Sequence, residues 1–407
     1  MKKAMIITVG TGIGSDPDRV KSLASGIDKS IKNGNPQYIK FITSKEGEGT
    51  IKEIKELNKD IPENDIFFLK TIEDINEIYE EINNVVIELM NKNYESISID
   101  FTSGTKAMSV GAVLSATKFN LNLSYISGER VNGKVAKGLE KIIFVSPTKP
   151  VIDIKLIIIQ KLWDFYQYKG CLELIKELKN YTPSNNIIDQ YNTLTLAYSE
   201  WDKFNHTEAY NLLRGFKTDL IDTSNNKTFL GKIINENNEE KEKMMICDLI
   251  NNAKRRINEG KFDDAVARLY HTMEYIAQYK LINSYGIDSS DVDIKKLENL
   301  GLSNLDNYKK LGDNGKIKIG LTTDFQLLKD IGDEMGHKFF QDQELQTLLS
   351  KRNSSILAHG KNPMSEEDAN KLLTKIESYA SSIIKKYKEY IEESTFPKMT
   401  NINLIRL

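Results

Sequence analysis

The hydrophobic period of this chain changes once, near Pro147 and Pro150, and that change restricts it to two structurally dissimilar parts. Before it, short apolar runs of strand-like composition recur at Ala4–Val9, Tyr38–Thr43, Ile66–Leu69, Ser96–Ile99, Leu123–Ser127 and Lys141–Val145. Helical patterns separate the early runs. In Asp74–Met90, for instance, Ile75, Ile78, Ile82, Val85 and Leu89 recur at helical spacing. Strands alternating with helices predict a parallel sheet covered on both faces. The last two runs are joined by a short connection containing Gly128, Gly133 and Gly138, which predicts a hairpin closing that sheet. From Val151 onward only the helical period remains, broken by polar stretches beginning at Asn235 and spanning Gly301 to Gly320. The expected architecture is an α/β domain over residues 1–150, a helical connector over 151–245 and an all-α domain over 246–407.

Composition narrows the function classes. The chain has 407 residues, 40% hydrophobic and 28% charged, as in an ordinary water-soluble protein. Its two cysteines, Cys171 and Cys247, are too few for a disulfide framework and lack metal-ligand spacing, which favours a reducing compartment. The N-terminal apolar run ends in Gly-Thr-Gly-Ile-Gly without a small-residue cleavage site, so it reads as a first strand rather than a signal peptide. The apolar stretch near Leu156–Ile159 is too short and too charged at its edges to span a bilayer. A cytoplasmic protein without a membrane partner is expected. Net charge is −2, and basic and acidic residues balance within residues 1–150 and again within 246–407. Duplex nucleic acid is normally held by a basic excess. Any nucleic acid bound here is expected to be short, single-stranded or gripped at a few placed groups.

Two loops of the first domain carry binding chemistry. Thr8-Val-Gly10-Thr11-Gly12-Ile13-Gly14 follows the first strand, and Asp100-Phe-Thr102-Ser103-Gly104-Thr105-Lys106 follows the fourth and enters a helix over Ala107–Lys118. In a parallel sheet both emerge at the carboxyl edge, where open α/β sheets bind ligands. Glycines permit close backbone approach, and helix-start N–H groups with Thr and Ser hydroxyls suit phosphates, Lys106 adding a point charge. Thr102 and Ser103 also suit plain helix N-capping. The glycine spacing is too short for a dinucleotide fingerprint, and the second loop is not a P-loop.

Together, Val-Gly-Thr-Gly after strand one and Asp-x-Thr-x-Gly-Thr-Lys after strand four resemble the CRISPR-associated Rossmann-fold (CARF) domain over about residues 1–150. The resemblance implies a Rossmann-like sensor that pairs with a second copy and binds a cyclic oligoadenylate, tetra- or hexa-adenylate, across the two-fold axis. The matching positions are Gly10, Thr11 and Gly12 in the first loop, and Thr102, Ser103, Gly104, Thr105 and Lys106 in the second. Hydroxyls of Thr11, Thr102 and Ser103 near a phosphodiester also suggest slow cleavage of the activator itself.

The sharpest feature of the helical part is Lys351-Arg352-Asn353-Ser-Ser-Ile356-Leu357-Ala-His359-Gly360. At about 100° per residue, seven residues return Arg352 and His359 to one helical face about 10 Å apart. Ile356 and Leu357 would then face the core, with Gly360 at the helix end and Pro363 blocking continuation. Ser365-Glu-Glu-Asp368 begins the next helix in a capping-box-like pattern. Cutting RNA without a metal needs these residue types: histidine for proton transfer and a fixed arginine for charge on phosphorus. Asn353 could orient either the phosphate or His359. Arg-Asn-x5-His-Gly resembles the catalytic motif of HEPN ribonucleases. The whole string, with Phe262-Asp-Asp-Ala-Val-Ala-Arg-Leu-Tyr270 upstream, resembles the CARF–HEPN ancillary ribonucleases of type III CRISPR systems over about 246–400. That resemblance implies a homodimer, Arg352, Asn353 and His359 as catalytic residues, no required cofactor or metal, and single-stranded RNA cut to a 2′,3′-cyclic phosphate.

The other histidines read more simply: His271 as packing or surface, His206 as solvated in the connector, and His337 as surface or an RNA contact. Arg268 reads as a surface ion pair or a group facing the cleft. Two readings compete with an enzyme: a ligand-sensing CARF regulator, disfavoured by the absence of a basic recognition face, and an RNA-binding protein without turnover.

Overall fold

The structure, a computed structural model, describes residues 2–12, 19–128, 130–131, 134–135, 140–236, 238–302, 305–310, 312–313, 316–358 and 360–399. The chain divides into two compact units, Met1–Leu156 and Ile157–Leu407. The residues expected to form a connector therefore pack, apart from their first few, in one unit with the C-terminal helices.

The first unit alternates β1 (Lys3–Val9), α1 (Arg19–Gly34), β2 (Tyr38–Thr43), α2 (Glu48–Leu57), β3 (Glu63–Phe68), α3 (Ile75–Asn91), β4 (Ser96–Asp100), α4 (Lys106–Phe119) and β5 (Asn122–Ser127). A small hairpin, β6 (Arg130–Val131) and β7 (Lys134–Val135), precedes β8 (Lys141–Val145). The main sheet has the order β3-β2-β1-β4-β5-β8. Its first five strands are parallel and β8 runs antiparallel against β5, closing the edge as the short connection suggested. Gly133 and Gly138 lie outside the described residues.

Every position of β2 and all but the first of β1 are buried, because both faces of the sheet are covered. Alternate β1 residues serve opposite faces. Ala4 and Ile6 pack with Ile78, Ile82 and Ala112 of α3 and α4. Met5, Ile7 and Val9 pack with Ile27, Ile31 and Ile54 of α1 and α2. Asp74 caps α3 by accepting from the Asn76 and Glu77 N–H groups at 2.8 and 3.1 Å. The third strand begins three residues earlier than its apolar run, since pairing with β2 extends from Tyr38↔Glu63 to Thr43↔Phe68. An edge strand tolerates the polar Glu63, Asn64 and Asp65, which hide it from a hydrophobicity reading.

Among the described residues the second unit is helical apart from a hairpin of two short strands, Gly312–Asp313 with Lys316–Ile317, and one isolated bridge. Its axis is α10 (Asn238–Asn258) and α11 (Phe262–Tyr285), counting α5 (Thr148–Asp164) through α9 (Ser224–Asn235) before them. Around α11 lie α14 (Leu321–Ile331), α16 (Gln343–Asn353) and α17 (Glu366–Ile383), with the short α12 (Ile294–Asn299), α13 (Asp306–Lys309) and α15 (Glu334–Gln341) between and α18 (Tyr387–Glu393) last. An aromatic cluster of Trp163, Tyr198, Trp201, Phe229 and Phe396 anchors the connector helices. His206, expected in solvent, is buried: its Nε2 lies 2.7 Å from Asp248, whose carboxylate also accepts from Trp201 Nε1 at 2.9 Å. A buried carboxylate needs such donors, and the apolar surroundings of the sequence give no hint of them. No helix among the described residues is long and apolar enough to cross a membrane.

Candidate ligand cavity and ribonuclease site

The sheet order reverses at β1. Strands β2 and β3 lie on one side of it, β4 and β5 on the other. The loops leaving β1 and β4 therefore diverge to opposite faces and open a crevice at the carboxyl edge. There the structure brings together a cavity of about 360 Å³, lined by Gly10, Thr11 and Gly12 from one loop and Thr102, Ser103, Gly104 and Thr105 from the other. Ile13 and Gly14 lie outside the described residues.

The loops are locked to each other by glycine contact and hydrogen bonds. A Cβ on Gly10 would meet the Gly104 Cα and N at 3.0 Å, and Gly104 itself has φ +109°, so both positions require glycine. Gly10 N donates to Ser103 Oγ at 2.9 Å, and Thr8 Oγ1 donates to the Ser103 carbonyl. Ile126 N donates to Thr102 Oγ1 at 3.0 Å. Beneath them sits Asp100, wholly buried, accepting from Thr102 N at 3.0 Å, Ser124 Oγ at 2.7 Å and Ser30 Oγ. Helix capping falls to neither Thr102 nor Ser103. Thr105 is the cap of α4, accepting from Met108 N at 3.1 Å while donating to the Ile72 carbonyl at 2.8 Å. The Thr102 and Ser103 oxygens thus accept from the protein backbone, and each hydroxyl keeps a hydrogen suited to an anionic oxygen.

Lys106 does not line this cavity; it is exposed at the first turn of α4. Charge at the rim comes instead from Arg19, at the start of α1, and Glu140, which pairs with Lys29 at 2.6 Å. Leu23, Ile72 and Ile126 give apolar walls. No spacing in the sequence ties Arg19 or Glu140 to the two glycine loops; only the chain's crossing points do.

In the helical unit, the expected continuous helix through Arg352 and His359 does not form. Helix α16 starts at its cap Asp342, which accepts from Leu345 N at 3.0 Å, and stops at Asn353. Ser354 Oγ turns back to the carbonyls of Ser350 and Lys351 at 3.2 and 3.0 Å, competing with the backbone donors that would extend the helix. Ser355 then forms a bridge with Asn362, and Ile356 N donates to the Asn362 carbonyl at 3.2 Å. Ile356 and Leu357, expected in the core, are 60% and 54% exposed on this turn. Gly360 does not end a helix but sits against the loop's own start, where a Cβ would lie 1.8 Å from the Ser354 carbonyl oxygen. His359 lies outside the described residues. Ser365 caps α17 as expected, accepting from Asp368 N at 3.1 Å.

Arg352 is half-buried, with its guanidinium carbon 4.1 Å from the centroid of the Tyr270 ring on α11. Its Nη1 donates to Asn353 Oδ1 at 3.2 Å. Burial raises the Tyr270 hydroxyl pKa, and the Arg352 charge opposes that rise. Lys351 pairs with Asp368 at 2.8 Å, tying the end of α16 to the start of α17. Arg268 faces a separate groove of about 610 Å³ with Asp264, His271 and Tyr275; burial and the neighbouring Arg256 depress its pKa. His337 is exposed on α15. No cluster of three or more His, Cys, Asp or Glu side chains able to hold a metal occurs among the described residues.

Comparison with known proteins locates both halves of the helical unit. Residues 154–244 match the model of the Csm6 6H domain, and residues 234–383 match that of the Csm6 HEPN domain. No curated protein sequence matches the chain. Among solved structures, it is similar to Enterococcus italicus Csm6 bound to cyclic hexa-2′-fluoro-hexa-dAMP, with a TM-score of 0.62 at 14% identity, over 97% of this chain and 98% of that one. With the two domain models together spanning more than half of its length and a Rossmann-like unit preceding them, the chain belongs to the Csm6 family of CARF–HEPN ancillary ribonucleases of type III CRISPR systems.

Proposed function

We propose that the protein is an endoribonuclease for single-stranded RNA, switched on by a cyclic oligoadenylate held in the cavity at the β1/β4 crevice. The observation that carries the reading is the convergence of both glycine loops on one cavity, in a chain whose helical unit matches the Csm6 HEPN domain. Gly10, Thr11, Gly12 and Thr102–Thr105 form the wall that binds the activator, the Thr102 and Ser103 hydroxyls donating their remaining hydrogens to it, and Lys106 acts only at long range. The relative's bound cyclic hexanucleotide supports a ring of adenylates as the ligand class. The Thr11, Thr102 and Ser103 hydroxyls also support slow cleavage of that ring.

In the helical unit, Arg352, Asn353 and His359 act on the scissile phosphate. The RNA 2′-oxygen attacks phosphorus as its proton is removed, and the P–O5′ bond breaks as the leaving 5′-oxygen is protonated. The products are a 2′,3′-cyclic phosphate and a 5′-hydroxyl. Histidine titrates in the right range for either proton transfer, and a guanidinium stabilises charge developing on the phosphoryl oxygens. No resident metal enters this scheme. One Arg and one His make a sparse site, and a second copy across a dimer axis supplies another pair. The exposed Ile356 and Leu357 beside Arg352 support an apolar partner at that place.

The activator works by binding the active arrangement more tightly than the inactive one. A shift from 1:99 to 99:1 takes about 5.5 kcal/mol of differential binding. The test is cleavage of a fluorescent RNA with and without cyclic tetra- and hexa-adenylate, for wild type, Arg352→Ala and His359→Ala. Activation in the wild type, with both variants inactive yet still binding activator, is the expected result. Equal rates with and without the rings refute the coupling, and unimpaired cleavage by Arg352→Ala refutes the site.

A further inference from the structure

Helix α11 reaches the Arg352 segment at two points, and neither of the α11 residues involved belongs to the arginine–histidine motif itself. The Arg352 guanidinium carbon lies over the Tyr270 ring, 4.1 Å from its centroid. Asp263, in the first turn of the same helix, accepts from the Met364 N–H with both carboxylate oxygens at 3.2 Å. Asp263 and Tyr270 are seven residues apart, so they share one face of α11 and stand about 10 Å apart along its axis. One helical face therefore grips the chain at Arg352, before the turn, and at Met364, after it. Both gripping residues fall in the Phe262–Tyr270 string.

We propose that Tyr270 and Asp263 are positioning residues of the ribonuclease site, with Tyr270 setting the plane of the Arg352 guanidinium and Asp263 fixing the far end of the motif loop. The inference rests on the reading that Arg352 acts on the scissile phosphate. A guanidinium donates hydrogen bonds from its edge and attracts a π-system through its face. Stacking on Tyr270 thus holds the group in one orientation while leaving its N–H edge for phosphate oxygens. A surface arginine without such a plate samples many rotamers, and ordering it costs side-chain entropy at the moment of reaction. Asn353 Oδ1, 3.2 Å from Nη1, fixes the rotation of the group within that plane. At the other anchor, a carboxylate accepting a backbone N–H makes a charge-assisted bond, stronger than a neutral one. It closes the loop that begins at the Ser354 reversal. The Lys351–Asp368 pair is exposed on the lysine side and reinforces the same closure weakly.

The experiment measures kcat and KM for RNA cleavage at saturating activator. Tyr270→Phe keeps the ring and is expected within about twofold of wild type. Tyr270→Leu removes the π-face and is expected to lower kcat about tenfold, equivalent to about 1.4 kcal/mol, with KM nearly unchanged. A series of increasingly fluorinated phenylalanines at position 270 preserves shape while draining the ring quadrupole, and kcat is expected to fall stepwise along it. A purely packing role would leave that series flat. Asp263→Asn keeps an acceptor for Met364 N–H and is expected to retain more kcat than Asp263→Ala. A flat fluorinated series, or full kcat in Tyr270→Leu, overturns the assignment of Tyr270. If Tyr270→Leu fails to fold, seen as exposure of the buried Trp163 and Trp201 of the same unit in their fluorescence, the fluorinated series still decides. Arg352→Ala separates the two levels. Unimpaired cleavage in that variant sinks the catalytic reading, whereas an inactive Arg352→Ala beside a flat series sinks only the positioning role.

Discussion

Asp324 offers a quantitative test of how this helical unit is held together. It lies on α14, wholly buried, with neither carboxylate oxygen in a well-formed hydrogen bond. Burial pushes its pKa up from 3.8 to about 6; the nearby Glu274 carboxylate adds to the rise, while Ser289 and Gln278 hold it back. The gap corresponds to about 3 kcal/mol. Because the folded-state value is raised, Asp324 favours the fold only while protonated. That contribution is complete below about pH 4 and is lost as pH rises through 6. Asp324→Asn removes the charge and keeps a similar shape, so it is expected to stabilise the unit at pH 7.5 by up to about 3 kcal/mol and by much less near pH 4. For a unit of this size that amounts to about 6–12 °C in Tm. Both tryptophans of the chain, Trp163 and Trp201, are buried in the same unit, so their fluorescence in urea reports its unfolding. A stability difference that stays constant between pH 4 and pH 7.5, or an Asn variant less stable than wild type at pH 7.5, would refute the reasoning.

Two further predictions concern glycines that the fold makes irreplaceable. Gly10→Val places carbon 3.0 Å or less from the Gly104 backbone and must part the two loops; affinity for cyclic hexa-adenylate, measured by calorimetry, is expected to fall at least tenfold, about 1.4 kcal/mol. Unchanged affinity would mean the cavity does not hold the ring. In Gly360→Ala, the new carbon overlaps the Ser354 carbonyl and displaces the motif loop, so RNA cleavage is expected to drop more than tenfold with activator binding intact. Wild-type turnover in that variant would show that the loop's tight reversal is irrelevant to the chemistry.

Periodicity and local capping carry the part of this protein that can be read without coordinates. The alternation of strand and helix, the closing hairpin, the Ser365 cap and the two glycine loops all depend on neighbours a few residues apart. The convergence of those loops is legible too, because strand order and connection rules force a crevice between β1 and β4. Long-range packing settles the remainder. Seven-residue spacing puts Arg352 on one helical face with His359, yet the Asn353-Ser354-Ser355 run ends the helix. Short polar side chains and a close return at Gly360 satisfy the backbone better there than another turn does. Lys106 shares the loop's sequence but not its cavity, whereas Arg19 lines that cavity from a neighbouring helix. Tyr270 reaches Arg352 from a different helix, far away along the chain. Contacts of that kind leave no periodic trace, because they depend on where whole helices cross rather than on the order of residues along the backbone.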